Sequence, residues 1–75
     1  METAGQRYSL IRGSDVDRDG MYLELRRDGD PDEVAEVFYS DETGEFSLTT
    51  LHNAVPLVAI EWLIERSREL LPPVR

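Results

Sequence analysis

The sequence predicts an α+β domain: a three- to four-stranded antiparallel β-meander with one C-terminal α-helix packed on one of its faces. Three observations carry that expectation. Residues 21–26 alternate, with Met21, Leu23 and Leu25 on one side and Tyr22, Glu24 and Arg26 on the other, which is the two-residue period of a half-buried strand. From Pro56 onward the apolar residues recur instead at spacings of three and four, the period of an amphipathic helix. Short Asp- and Gly-rich strings separate the apolar segments, as turns require.

Taken in order, residues 1–6 carry no pattern and are expected as a flexible N-terminus, with the meander spanning 8–50. Tyr8, Leu10 and Ile11 open a first strand that Gly13 is expected to end, and a polar loop leads to the strand at 21–26. The Asp28-Gly29 pair and Pro31 then form a turn, because glycine supplies positive φ and proline cannot continue a ladder. Residues 33–40 admit two readings. Asp30, Pro31 and Glu33 resemble a capped helix start, whereas Val37, Phe38 and Tyr39 favour a strand. The strand is preferred, since Gly44 closes a compact hairpin loop into a returning strand at 45–50, with Phe46 and Leu48 on one face and Ser47 and Thr49 on the other. Pro56 suits the first turn of a helix over 56–71, which Pro72 and Pro73 stop before a tail at 72–75. Its expected core arc holds Leu57, Ala59, Ile60, Leu63, Ile64, Ser67, Leu70 and Leu71, opposite Glu61, Glu65, Arg68 and Glu69.

Composition narrows the function classes. A chain of 75 residues is expected to form a single domain, to bury a small core and to have little room for a large cleft. Without cysteine it has neither a disulfide nor a thiolate metal site, so self-association is an expected source of extra stability. The N-terminal residues lack a basic region followed by an apolar run, and no apolar stretch approaches the roughly 20 residues that cross a bilayer, so a cytoplasmic protein is expected. Sixteen acidic residues against eight arginines, with no lysine, set a formal charge of −8. Such a chain repels phosphate backbones and anionic membranes, so neither nucleic acid nor membrane is an expected partner.

Candidate chemistry is sparse. Asp15, Asp17 and Asp19 followed by Gly20 place alternate carboxylates ahead of a turn residue, and this six-residue string resembles the opening of EF-hand calcium loops. The resemblance implies a weak cation site at Asp15, Asp17 and Asp19 with Glu24 as an outside ligand. It departs from the family at the twelfth loop position, where Arg26 stands instead of a bidentate Glu, and in having a strand where a helix belongs. An acidic hairpin loop explains the same residues. His52 is the one imidazole and has no convincing nucleophile beside it, and no phosphate-binding glycine loop or His/Cys metal spacing occurs. No catalytic residue and no cofactor is therefore assigned.

Two surfaces are left as candidates for protein contact. Val58 and Trp62 lie four residues apart on the helix side that carries Glu61, Glu65 and Glu69, a Trp-centred apolar patch of the kind interfaces use; alternatively, the N-terminal segment or Pro72-Pro73 covers Trp62. On the sheet, Tyr22, Val34 and Phe38 are expected on the face the helix leaves open. Together they point to a non-catalytic interaction module, expected as a homodimer or bound to another protein. The other reading drawn from size and charge is an inhibitor of a basic partner, in the manner of immunity proteins or antitoxins.

Overall fold

The computed structural model describes residues 1–52 and 54–71, so the expected stop at Pro72-Pro73, the tail at 72–75 and the cover that Pro72-Pro73 would give Trp62 lie outside the described residues. Its elements are β1 (Glu2–Thr3), β2 (Gln6–Asp15), β3 (Gly20–Arg27), β4 (Glu33–Ser40), β5 (Phe46–Thr50) and α1 (Leu57–Leu70). The strands form one antiparallel sheet in chain order, β1-β2-β3-β4-β5, and α1 packs on one face. The α+β class and the meander agree with expectation; the count is five because the first residues, expected to be flexible, pair as a short ribbon, Glu2 with Arg7 and Thr3 with Gln6. Backbone bonds extend it, Tyr8 N donating to Met1 O at 2.7 Å and the Met1 amino group to Tyr8 O at 2.8 Å. Residues 33–40 are strand throughout, so the helix-like start at Asp30 serves only a turn.

Gly13 does not end the first strand. β2 continues to Asp15, and Gly13 sits opposite Tyr22 in the β2–β3 ladder. A Cβ at Gly13 would lie 2.4 Å from the Tyr22 ring, so the aromatic side chain occupies the space a residue there would need. Phe38 stands in the same relation to Gly20, whose missing side chain would meet that ring at 2.5 Å and Tyr39 O at 2.1 Å. Both glycines are therefore sites of close approach between neighbouring strands rather than breaks.

The core lies between the middle strands and the helix. Leu23 and Leu25 from β3, Val34, Ala35 and Val37 from β4, and Ala59, Leu63 and Leu71 from the helical segment are buried, together with Tyr8. Ser67 is the buried polar residue among them, and its hydroxyl donates to Leu63 O at 2.6 Å, so its desolvation is offset inside the helix. Pro56 stands just ahead of the helix, its carbonyl accepting from Ala59 N and Ile60 N. Leu57 and Ile64, expected in the core arc, are exposed, and Leu57 is 72% so. The contact stripe is turned toward Trp62, which is half-buried against the core. That rotation takes part of the largest side chain in the molecule out of water, a bigger hydrophobic gain than burying Leu57.

Candidate functional site

The helix packs chiefly on β3 and β4 and leaves β5 largely uncovered. A helix is about 10 Å wide and strands are spaced about 4.8 Å apart, so one helix shields about two strands. Every residue of β5 is exposed in consequence. Phe46 and Leu48 point to the helix side of the sheet, since their cross-strand partners are Tyr39 and Val37. With Val37, Ile64, Ser67 and Arg68 they line a groove of about 170 Å³ between β5 and α1. Phe46 meets the Tyr39 ring at 5.0 Å between centroids, and the Arg68 guanidinium lies 5.8 Å from the Phe46 centroid. Leu48 is 45% exposed and Phe46 37%, so the groove carries unspent apolar area.

The strand's outer edge is also open. Ser40 N donates to Glu45 O at 3.1 Å and Leu51 N to Val34 O at 2.9 Å at the two ends of the β4–β5 ladder. Bonded residues alternate in an antiparallel ladder, so 45, 47, 49 and 51 turn toward β4 while Phe46, Leu48 and Thr50 turn their N–H and C=O groups outward. Among the described residues no strand pairs with them.

The opposite face of the sheet is chemically different. Tyr22 and Phe38 are cross-strand partners there, as expected, but each ring covers a glycine, and the Arg18 guanidinium stacks 4.2 Å over Phe38. Val34, expected beside them, is instead 1% exposed in the core. The register shift between Leu25 and Arg26 brings Glu33 opposite Arg26 and Ala35 opposite Leu25, so Val34 leaves the simple alternation that placed it outside. The same bulge gathers Glu33 with Glu24 and Glu36, each offering a carboxylate oxygen within 4.8 Å of the others. A shared hydrogen bond with Glu24, loss of solvent and the Glu24 charge push the Glu33 carboxyl up to about 7. Arg26 holds Glu24 at 2.9 Å and Arg18 holds Glu36 at 2.9 Å, so two of the three carboxylates are already ion-paired.

Asp15, Asp17, Asp19 and Glu24 are not brought together as a cation site. Asp15 ends β2 and accepts hydrogen bonds from the Arg18 guanidinium, Arg18 N and Asp17 N, and chiefly the Arg18 guanidinium holds its carboxyl below the usual range. Its oxygens are spent on the hairpin, and Glu24 is four residues up β3 against Arg26. His52 lies 3.3 Å from Asp30, which Arg27 also contacts at 3.0 Å, in a shallow depression bordered by Glu24, Glu33 and Leu51. On α1, Val58 is exposed as expected, whereas Trp62 is only half out. The groove and edge of β5 were not among the surfaces the sequence suggested. Comparing one helix's width with the width of four strands is the signal that would have exposed them.

No family model, curated protein or solved structure matches the chain. No helix among the described residues is long and apolar enough to cross a membrane.

Proposed function

We propose that the chain is a non-catalytic protein-interaction module that self-associates through its β5 side. The observation that carries this reading is an uncharged edge strand, Phe46–Thr50, exposed along its whole length in a chain whose residues are 32% charged. Natural sheets protect such edges with charge, proline, bulges or a covering element, and β5 has none of these on its outer side among the described residues. Leu48 joins the open edge to the apolar groove, so one contact desolvates both. The open face of the sheet suits this role less, because its aromatic rings are used to cover Gly13 and Gly20.

Light scattering coupled to size exclusion, run over a range of concentrations on wild type and on Leu48→Asp, tests the reading. The wild type is expected to form a dimer and the variant a folded monomer, since a carboxylate at the centre of the contact cannot be desolvated cheaply. The surface named here is wrong if the variant dimerises as strongly as wild type. A wild type that stays monomeric at millimolar concentration overturns self-association and leaves a different protein as the partner.

A further inference from the structure

We infer that the occupant of the β5 edge is a second copy of this chain, paired antiparallel with Leu48 on the two-fold axis so that two sheets become one. The inference rests on the interaction reading above and adds its geometry. The outward-facing residues are Phe46, Leu48 and Thr50, an odd set with Leu48 at its centre. Rotation about Leu48 therefore sets Leu48 against its own copy and Phe46 against Thr50 of the other protomer, and every outward N–H of the strand meets a carbonyl. The intervening pairs match Ser47 with Thr49. No alignment contact between the strands places one charge against another, which matters because each protomer carries a formal −8. Sliding the two strands toward their first residues would bring the Glu42 and Glu45 carboxylates of the two copies together.

A two-fold axis normal to the sheet puts both helices on the same face, so the two grooves, each floored by Phe46 and Leu48 and walled by Ile64, merge into one apolar trough across the seam. The contact falls near the low end of specific interfaces, about 1,200 Å² or less in total, so dissociation constants of roughly 1–100 µM are expected. Salt strengthens this dimer, because it screens repulsion between like-charged protomers and the contact itself holds no ion pair. A basic partner seated on the same chain would respond to salt in the opposite sense.

Amide hydrogen exchange read residue by residue tests the geometry on the intact chain. From about 10 µM to about 1 mM protein, the Phe46, Leu48 and Thr50 amides should slow by roughly four- to ninefold, as the monomer fraction falls over that range, while Ser47, Thr49 and Leu51 are protected at both concentrations. Register is read by mixing Ser47→Cys with Thr49→Cys protein under oxidising conditions, a clean test in a chain without cysteine. The mixed disulfide should outnumber both symmetric ones, because these positions oppose each other across the axis. A dimer whose Phe46, Leu48 and Thr50 amides stay fast overturns the edge pairing but leaves self-association standing. Protected edge amides with no excess of the mixed disulfide overturn the register. A chain monomeric at all concentrations overturns both the geometry and the reading beneath it.

Discussion

The two long edges of the sheet, β2 and β5, belong to the same layer and are treated in opposite ways. β2 is ten residues long, carries Arg7, Arg12 and Asp15, and has only its first residues, Gln6 to Tyr8, paired with the β1 ribbon and Met1. Arg12 reaches from it to Leu70 O at 3.3 Å, tying that side to the end of the helix. β5 is half as long, holds no charge and has no strand on its outer side among the described residues. Beyond Tyr8 the outer side of β2 also lacks a partner strand among the described residues, but the charged Arg12 stands on it, whereas β5 combines free backbone groups with exposed apolar side chains and no charge. An open, uncharged edge is a liability that natural sheets protect, and the proposed self-association would cover it.

The comparison breaks most visibly if the helix is not where the core needs it. Leu63 is fully buried above β3 and β4, and Leu63→Ala is expected to cost about 2–5 kcal/mol in denaturant unfolding. Leu48→Ala, measured where the protein is dilute enough to be monomeric, should cost less than about 1 kcal/mol. Equal losses would mean that α1 leans on β5 and that the bare edge does not exist.

A smaller effect probes the open face between the two edges. The folded chain keeps a proton on Glu33 up to about pH 7, whereas the unfolded chain releases it around the ordinary 4.5. Between those values the folded state binds more protons, so this group's contribution to stability falls as pH rises through the window. Glu33→Gln removes the contribution. Its melting temperature should exceed that of wild type at about pH 8, with a flatter profile between about pH 5 and about pH 7. Identical profiles for the two proteins would show that the β3–β4 bulge does not force Glu33 and Glu24 together.

The smallest effect sharpens the account of the guarded edge. The Arg7–Glu2 ion pair, at 3.0 Å, joins side chains that are 66% and 68% exposed, so Arg7→Ala should change stability by no more than about 0.5 kcal/mol. A larger loss in thermal unfolding would mean that the β1 ribbon is held by charge rather than by the backbone exchange between Met1 and Tyr8.

Local patterns made the fold class legible. The alternation at Met21–Leu25 and the β-favouring Val37, Phe38 and Tyr39 marked strands that the structure contains, and the helix lies within a residue of its expected bounds at each end. What escaped depends on neighbours distant in sequence. Gly13 reads as a stop until Tyr22 is placed across from it, and Val34 reads as an outward residue until the bulge shifts it. Periodicity also defined a helix arc wide enough to include Leu57 and Ile64, while the choice of which side of that arc meets the sheet follows from the area of Trp62. The candidate site was missed for the same reason: Phe46 and Leu48 have the pattern of core residues, and only the lateral position of the helix leaves them uncovered.

The ring of Tyr22 filling the place of a side chain at Gly13 has an evolutionary consequence. The two positions, nine residues apart in sequence, behave as a single residue shared by two strands. Among descendants of this sequence, a side chain gained at 13 should be accompanied by a smaller or differently turned residue at 22, and the aromatic should persist only where the glycine does.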